Sequence, residues 1–471
     1  MSQPLAVLAI DMGSSSLRAH LGVWEDQALR IDEVYRAEHE VAVAPDGTLT
    51  WDVARLCDQA VAAADAATRT LGRAPDGVAV DGWGVDYALV DAEGRPLGPA
   101  WAYRDGRGAQ GRALVAQRLD EQAQFAESGV APQDINTGYR LAVAADQGLI
   151  PAGATVMFIQ DVVARALATR PIAGWADPVD PGAWASRGVA STSGLADRDT
   201  ACWQPDIVAA CGIDPAILPP LADERTVAAR RGDTAIIRAG SHDTACAAYS
   251  LGLGEGDLFV SCGSWAIVGA IADAVIAPGL TNEATVEGGN RVQANLTGMW
   301  LAQECRRAWQ AEGEDVAFAR LDALARAAEP AGCTIDPSDP AFAAPGHMPQ
   351  RIRDAVRETH GIEVDGIGPI LRLISQSLAV AIADNVRLLR QATAAAGRVF
   401  VMGGGTKDRL LMRLLAGELE DDLVLGAVEA SALGNICAQL HVLGVPPADT
   451  AAWARTAGIT QTFHHDPNKD R

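Results

Sequence analysis

Short apolar runs and longer helical patterns alternate along most of the chain. Residues 5–10 and 17–23 are apolar stretches typical of buried strands, and the Ala-rich stretch 51–71 has the spacing of a helix. Strands are also predicted at 78–80, 87–90, 236–239 and 398–402, a strand followed by a helix at 156–169, a hairpin at 257–271, and helices at 366–396 and 429–443. This alternation predicts an α/β fold.

The first two predicted strands are separated by DMGSSS, a turn with a carboxylate at its entrance and three consecutive serines. A plain hairpin accounts for this turn. An anion-binding turn accounts for it equally well, because backbone N–H groups and hydroxyls can surround a phosphate while Asp11 holds a hydrated Mg²⁺. The second half of the chain contains a similar hairpin turn, SCGSW, and the loop GGGTKD follows the strand 398–402. Three such turns in this order favour binding of a polyphosphate and a flat ligand.

Two domains are expected, because 471 residues are too many for one ordinary core. The stretch 218–232 is loop-like, so the predicted domains are 1–235 and 236–471. The stretch 132–194 is rich in Pro and Gly and is predicted to be irregular apart from 156–169.

The net charge of −22, from 38 basic and 60 acidic residues, comes without any basic stripe, which excludes nucleic acid and anionic membranes as expected partners. No apolar stretch approaches the roughly 20 residues of a membrane span, and the N-terminus lacks a signal-peptide pattern. The eight cysteines form no C-x-x-C pair, which indicates reduced thiols. We therefore expect a cytoplasmic protein that is a monomer or a homodimer.

Two polar clusters follow predicted strands. In GWGVDY, Trp83 and Asp86 either complete the core or bind a polyol, whose apolar face would stack on the indole. In GSHDTA, one polar residue would suffice to cap the next helix, yet His242 and Asp243 are both present. An aspartate near a helix N-terminus is held ionised and oriented, as a base for a sugar hydroxyl must be.

A third polar pair lies in NLTGMWLAQ. Asn295 ends a predicted strand and Gln303 lies on the helix that follows. Their positions suit contact with one neighbouring ligand each, and for Gln303 solvation at the surface is the alternative.

Taken together, these motifs resemble the FGGY family of carbohydrate kinases, and within it the rhamnulokinase branch. The matching segments run in the family's order from residue 6 to about 440 and so cover nearly the whole chain: IDMGSSSLR, DGWGVDYALVDAEGRPLGPAWAYRD, GSHDTACA, FVSCGSW, ANLTGMWLAQ, VMGGGTKDRLL and VEASALGN. The resemblance implies a duplicated actin-like, ribonuclease-H-like fold with ATP and sugar in the cleft between its halves. It also implies transfer of the γ-phosphate of ATP, with Mg²⁺, to a primary hydroxyl of a ketose, with L-rhamnulose giving L-rhamnulose 1-phosphate.

The resemblance also implies roles for single residues. Asp11 would assist Mg²⁺, and Asp243 would be the catalytic base. The phosphates would be surrounded by Gly13, Ser14, Ser15, Ser16 and Arg18, and ATP would also meet Ser264, Gln303 and the adenosine-binding residues Gly403, Gly404 and Gly405. The sugar would lie against Gly84, His242, Asp243, Thr244 and Asn295, beside the Trp83 and Asp86 considered above.

The chain departs from the branch at Gly82, where a hydroxyl residue is usual, and at Ser264, where threonine is usual. The stretch 132–200, which supplies part of the sugar pocket in the family, matches poorly. These departures leave the phosphotransfer reading intact but leave open another ketose or polyol, such as L-fuculose, xylulose or ribulose. A non-kinase actin-like ATPase is the alternative from another class, and the GWGVDY and SHDTA segments argue against it, because such proteins have no acceptor to deprotonate. A third alternative is a sugar-sensing repressor built on a kinase scaffold. Such a repressor would need a helix-turn-helix extension or a basic patch, and the sequence predicts neither.

Overall fold

A computed structural model describes residues 4–197, 202–254, 256–456 and 461–466. Residue contacts divide the chain into two compact units. The first unit comprises Met1–Gly252, Asp273–Arg291 and Ala430–Ala457, and the second comprises Leu253–Ala272, Val292–Glu429 and Gly458–Arg471. Each unit contains its own β-sheet flanked by helices.

The strands of the described residues are β1 (Leu5–Met12), β2 (Ser16–Glu25), β3 (Ala28–Glu38), β4 (Ala42–Val43), β5 (Leu49–Trp51), β6 (Gly77–Gly82), β7 (Tyr87–Val90), β8 (Ala100–Trp101), β9 (Thr155–Phe158), β10 (Ala185–Ser186), β11 (Leu221–Ala222), β12 (Thr226–Arg231), β13 (Thr234–Arg238), β14 (Leu258–Cys262), β15 (Trp265–Ile271), β16 (Thr281–Ala284), β17 (Asn290–Thr297), β18 (Val399–Met402), β19 (Leu423–Leu425) and β20 (Gln461–Phe463). The α-helices are α1 (Val53–Leu71), α2 (Arg107–Ala116), α3 (Glu121–Ser128), α4 (Thr137–Asp146), α5 (Ile159–Thr169), α6 (Arg187–Ala190), α7 (Pro205–Ala210), α8 (Asp243–Ser250), α9 (Trp300–Ala311), α10 (Phe318–Ala327), α11 (Met348–His360), α12 (Ile367–Thr393), α13 (Arg409–Leu419), α14 (Ala430–Val442) and α15 (Pro447–Thr456). Short 3₁₀ turns lie at Pro215–Ile217, Pro340–Phe342 and Gly404–Lys407.

The sheet of the first unit has the strand order β12-β13-β6-β1-β2-β3. Its central strand β1 is apolar over almost its whole length and is buried, because helices cover both faces of the sheet. On one face Leu8 and Ile10 share a core cluster with α1 and α5, and on the other Ala79 and Ile237 pack with α8 and α14. The parallel strands β1, β6 and β13 all end at one edge of this sheet, where the polar motifs begin.

Helices α1 and α14 show how the sequence builds this unit. The side chain of Asp52 accepts a hydrogen bond from Arg55 N at the start of α1, which ends at Gly72 in the left-handed conformation.

Helix α14 belongs to the first unit although it comes late in the chain. Gln439 Nε2 donates to Leu8 O at 3.0 Å, and α14 contacts both β1 and β6.

The sheet of the second unit contains the strands β17-β15-β14-β18-β19-β20 in that order. The antiparallel hairpin β14–β15 pairs in parallel with β18, so that Ser261 lies opposite Met402. Among the described residues, α12 is the one helix long and apolar enough to suit a membrane span, but 61% of its apolar window is buried within the protein, as in a core helix.

Most predicted elements are confirmed: the hairpin β1–β2, strand β6, strand β7, the pair β9–α5, strand β13, the hairpin β14–β15, helix α12, strand β18 and helix α14. Helix α1 begins two residues later than predicted, because Trp51 ends β5 and Asp52 is the N-cap. The prediction that 132–194 is irregular outside 156–169 is wrong, since α4 and α6 lie there.

The loop-like interpretation of 218–232 is also wrong. Residues Thr226–Arg231 form β12, an edge strand that pairs antiparallel with β13. Its two arginines and partial exposure hid the apolar pattern. The predicted domain boundary at 235/236 differs from the contact grouping, because β13 pairs with β6 and so keeps residues 236–252 with the first unit.

Candidate active site

The ends of β1 and β6 bring two aspartates side by side in the first unit. Asp11 and Asp81 are direct partners in the parallel pairing of these strands. Arg18 Nη2 donates to Asp11 Oδ2 at 2.7 Å, and Asn435 Nδ2 donates to Asp81 Oδ2 at 2.6 Å. Asp81 Oδ1 is buried and has no hydrogen-bond partner among the described residues. The pair therefore offers one unfilled acceptor beside a second carboxylate.

The charges at this position act on one another. Burial raises the pKa of the Asp81 carboxyl well above its usual range, and the neighbouring charges of Asp11 and Asp243 raise it further, while the hydrogen bond from Asn435 lowers it. Carboxylates that oppose one another's ionisation in this way are stabilised by a cation.

The GSHDTA segment joins the end of β13 to α8 next to these carboxylates. Gly82 N donates to Ser241 O at 3.2 Å, and His242 forms a parallel bridge with Gly82, so the segment continues the sheet edge. Asp243 is the first residue of α8, and its Oδ1 accepts from Thr244 N at 2.5 Å and from Thr244 Oγ1 at 3.1 Å. The carboxylate of Asp243 thus lies at a helix N-terminus with 30% of its side chain exposed.

The Gly84 turn after β6 has unusual backbone geometry. Val85 has a φ of 66°, which is rare for a β-branched residue. A Cβ at Gly84 would lie 2.9 Å from Thr192 Oγ1, so the turn is tightly closed. Val85 N donates to Thr192 Oγ1 at 2.9 Å, and Val85 O accepts from Thr137 Oγ1 and Arg140 Nη2, each at 2.6 Å. These partners come from 132–200, so that stretch holds the turn in place.

Asp86 is fully buried, and both of its oxygens accept from protein donors. Trp51 Nε1 and Trp83 Nε1 donate to Oδ2 at 2.6 and 2.8 Å, and Arg140 Nη1 donates to Oδ1 at 2.5 Å. The rings of Trp51 and Trp83 lie 4.5 Å apart between centroids. Asp86 therefore fixes the orientation of the two indoles.

The DMGSSS turn is a tight hairpin whose serines are accessible. Gly13 N donates to Ser16 O at 2.9 Å, and the side chains of Ser14 and Ser15 are exposed. His39, which directly follows β3, holds the turn, since His39 N donates to Ser15 O at 3.1 Å and its Nε2 lies 2.8 Å from Gly13 O. Burial lowers the pKa of His39, so the ring is neutral and donates from Nε2 at neutral pH.

The remaining predicted residues belong to the second unit. Ser264 Oγ donates to Gln303 Oε1 at 2.9 Å, which links the SCGSW turn to α9. The stretch Gly403–Gly405 follows β18, and Gly404 is exposed at the start of a 3₁₀ turn. Asn295 lies on β17 and its Oδ1 accepts from Gln293 Nε2 at 3.1 Å. The structure thus brings Ser264, Gln303 and the glycine loop to the side of the sheet where β14 and β18 end.

Several residues around the motifs were not singled out from the sequence. Asp81 could have been found, because it ends an apolar strand just as Asp11 does. Arg140, Glu224 and the Glu283–Arg291 pair are far from the motifs in sequence and reach them only in the fold. Gly82 stands where a hydroxyl residue was expected, and a Cβ there would lie 2.9 Å from Met12 O.

Comparison of the chain with known protein families identifies its family. The N-terminal domain of the FGGY family of carbohydrate kinases matches residues 6–245, and the C-terminal domain of the same family matches residues 258–443. The chain belongs to the FGGY family of carbohydrate kinases. The predicted resemblance and the two-domain FGGY kinase fold are thereby confirmed.

Curated relatives in this family are similar over nearly their whole length. A rhamnulokinase of Bacteroides thetaiotaomicron is 26% identical, with 93% of this chain and 90% of the relative covered. A rhamnulokinase of Enterococcus faecalis is 27% identical over 98% and 94%, and one of Pectobacterium carotovorum is 29% identical over 95% and 90%.

Solved structures of sugar and glycerol kinases share the fold. A xylulose kinase from Rhodospirillum rubrum superposes with a TM-score of 0.76 at 23% identity, covering 98% of this chain and 95% of that one. A Plasmodium falciparum glycerol kinase with ADP superposes with a TM-score of 0.74 at 12% identity, covering 99% and 96%. At these identities the likeness concerns the fold alone.

Proposed function

We propose that the protein transfers the γ-phosphate of ATP to a primary hydroxyl of a ketose, with L-rhamnulose as the first candidate. The single observation that carries the reaction type is the position of Asp243, a partly exposed carboxylate at the start of α8 beside the Asp11–Asp81 pair. The sugar assignment rests on the three rhamnulokinases, which are similar to this chain over nearly its whole length.

Asp243 would take the proton of the attacking hydroxyl. The hydrogen bonds from Thr244 N and Thr244 Oγ1 reach one carboxylate oxygen, Oδ1. Since these donors fix the carboxylate, its Oδ2 would accept the sugar hydroxyl with little loss of side-chain entropy. His242, next to it and buried, would contact the same sugar, as would Gly84.

The indole pair gives the proposed sugar site an ordered apolar element. Trp51 and Trp83 are each held by a hydrogen bond to Asp86, and Asp86 is in turn held by Arg140. Because the turn Gly84–Val85 is anchored to Thr192, the backbone beside the indoles is fixed as well. Trp51 and Trp83 belong to the core and are 5% and 8% exposed, so only a small part of each indole could meet a sugar.

The nucleotide would be held by backbone donors rather than by lysine. The DMGSSS turn, with Gly13, the exposed serines and Arg18, would surround phosphate oxygens. In the second unit, Ser264 and Gln303 would contact ATP and the Gly403–Gly405 loop would accept adenosine. Apart from Arg18, the proposed donors are backbone and hydroxyl groups, and the chain as a whole carries a net charge of −22.

Asp11 and Asp81 fit a bound Mg²⁺. The described residues contain no group of three or more His, Cys, Asp or Glu side chains arranged to hold a metal. Mg²⁺ in kinases takes only one or two carboxylates and completes its shell with water and phosphate oxygens, and the unfilled Oδ1 of Asp81 beside Asp11 suits that pattern. When bound, the ion would neutralise charge that develops on the transferring phosphoryl group.

A panel of acceptors tests this proposal. We would measure ADP release with L-rhamnulose, L-fuculose, D-xylulose and L-ribulose, and with glycerol and gluconate as acceptors of other chemistry. A kcat/KM for L-rhamnulose at least tenfold above that for the other ketoses would support the assignment. Preference for a fully hydroxylated ketose would reassign the sugar, and no acceptor-dependent ADP release with any compound would overturn the kinase proposal.

A further inference from the structure

A buried ion pair lies against His242 in the first unit. Arg291 donates through Nη2 to Glu283 Oε2, and the exposed fractions of the two side chains are 0% and 7%. The same Arg291 Nη2 lies 2.5 Å from His242 Nδ1, and Glu283 Oε2 lies 3.3 Å from that nitrogen. The guanidinium is anchored a second time, because Arg291 Nη1 donates to Ala284 O at 2.8 Å.

The pair determines which ring nitrogen faces Asp243. A guanidinium has only donors, so His242 Nδ1 accepts from Arg291 and the neutral ring carries its proton on Nε2. That Nε2 lies 3.5 Å from Asp243 Oδ1. The contacts therefore run from Glu283 through Arg291 and His242 to the carboxylate that we propose as the base.

The pair stays charged in the folded protein. Burial alone would raise the pKa of Glu283, but the charge of the adjacent Arg291 opposes this effect and the pKa falls to about 2. A buried ion pair of this kind seldom adds net stability compared with apolar residues of similar size. Its hydrogen bonds to a ring at the proposed active site give it a role that apolar residues could not fill.

We propose that Glu283 and Arg291 are positioning residues, which hold the His242 ring with Nε2–H directed at Asp243 and so support phosphoryl transfer. This inference rests on the proposed function, in which Asp243 is the base. Neither Glu283 nor Arg291 is itself placed against the sugar or the nucleotide.

The test uses two variants and a matched control. Arg291→Met removes the donor to Nδ1 but leaves Glu283 buried without its partner, which can prevent folding. The double variant Glu283→Leu/Arg291→Met removes both charges and retains apolar volume, so it is the variant expected to fold. Arg231→Lys is the control, because Arg231 is equally buried and donates to Leu167 O and Ala176 O, away from the site.

Two readouts separate positioning from a structural role. The first is the tautomer of His242, read from long-range ¹H–¹⁵N spectra of the imidazoles and assigned with His242→Gln. The second is the division of the kinetic effect between kcat and the KM for ATP. We expect the double variant to lose the Nε2–H preference and to lower kcat about 10- to 100-fold at an unchanged KM for ATP, while Arg231→Lys leaves both unchanged.

An unchanged His242 tautomer in the folded double variant, or a kcat within twofold of the parent, would overturn the proposal. Failure of the proposed function is distinguishable from this. It would show as full turnover in Asp243→Asn, whereas the tautomer readout needs no activity at all.

Discussion

Asp11 and Asp81 face each other across the parallel strands β1 and β6, one from each of the two motifs that open the first unit. Each has a different partner, since Arg18 donates to Asp11 and Asn435 donates to Asp81. Neighbouring carboxylates that oppose each other's ionisation are stabilised by a bound cation. The pairing of these two strand ends is the basis of the proposed Mg²⁺ site.

Asp81→Asn tests whether Asp81 affects the stability of the fold, the use of Mg²⁺, or both. Burial and the charges of Asp11 and Asp243 raise the pKa of Asp81, so its ionised form destabilises the folded state, and asparagine removes that cost while keeping an acceptor for Asn435. We expect a melting temperature equal to or above that of the parent, together with a severalfold higher Mg²⁺ concentration for half-maximal rate. The measurement is a Mg²⁺ titration of the rate beside thermal unfolding, with the exposed Asp46→Asn as control. A lower melting temperature with normal Mg²⁺ dependence would give Asp81 a purely structural role.

Asp86→Asn tests whether that carboxylate acts through the indoles. The variant leaves the buried Arg140 without its charged partner and removes an acceptor for Trp51 or Trp83. We expect a loss of about 3–5 kcal/mol in the free energy of unfolding, together with a higher KM for the sugar. Denaturant unfolding and sugar titration on one preparation would check this. Normal stability with a raised sugar KM would instead favour direct contact between Asp86 and the sugar.

Gly84→Ala probes the closed turn. The added Cβ would lie 2.9 Å from Thr192 Oγ1, the atom that accepts from Val85 N. We expect the turn to shift and the KM for the sugar to rise about tenfold or more, while the affinity for ATP stays within twofold. Gly98→Ala is the matched control, because nothing lies within 4 Å of its Cβ position. Equal sugar affinity in the two variants would show that the turn does not bound the sugar site.

The raised pKa of Glu224 leads us to expect a specific pH dependence of the free energy of unfolding. Its carboxylate accepts from Gly188 N, Gly240 N and Ser241 Oγ, and burial raises its pKa to about 7 against those hydrogen bonds. The folded state therefore binds more protons than the unfolded state between about pH 4.5 and 7, so this group lowers stability as pH rises through that window.

Glu224→Gln should remove that contribution, whose ceiling is about 3 kcal/mol for a shift of this size. Denaturant unfolding at pH 5 and pH 7 would measure the difference in slope between parent and variant, with Glu25→Gln as an exposed control. Identical pH slopes in parent and Glu224→Gln would show that Glu224 titrates at its ordinary pKa.

The sequence was most informative for elements whose apolar pattern is complete within one short segment. Local apolar spacing predicts the hairpin at Asp11, the strand Tyr87–Val90 and the helix Ile367–Thr393. Each of these elements packs against a neighbouring segment or against the core, so its apolar positions are regularly spaced. The edge strand Thr226–Arg231 was missed, since two arginines and partial exposure obscure its alternation.

Within the candidate site, the sequence pattern indicated the residues at strand ends. It did not indicate the side chains that hydrogen-bond to them. The protein partners of Asp86 could not be found from the sequence, because Trp51 and Arg140 lie 35 and 54 residues away in the chain. The Arg291 contact with His242 spans 49 residues and joins a hairpin to a helix start. Which charge pairs with which group inside a core depends on the packed fold, so spacing in the sequence could not indicate it.

The central claim is that Asp243 is the base of a sugar kinase, and Asp243→Asn tests it most directly. Asparagine keeps an oxygen that can accept from Thr244 N but cannot take a proton, so sugar-dependent ADP release should fall by about 10²–10⁴ while nucleotide affinity is retained. Asp120→Asn, at a residue that caps α3 through hydrogen bonds from Gln122 N and Ala123 N, controls for the loss of a capping carboxylate. Turnover of Asp243→Asn within a few-fold of the parent, measured on the preparation that also binds nucleotide, would contradict the account.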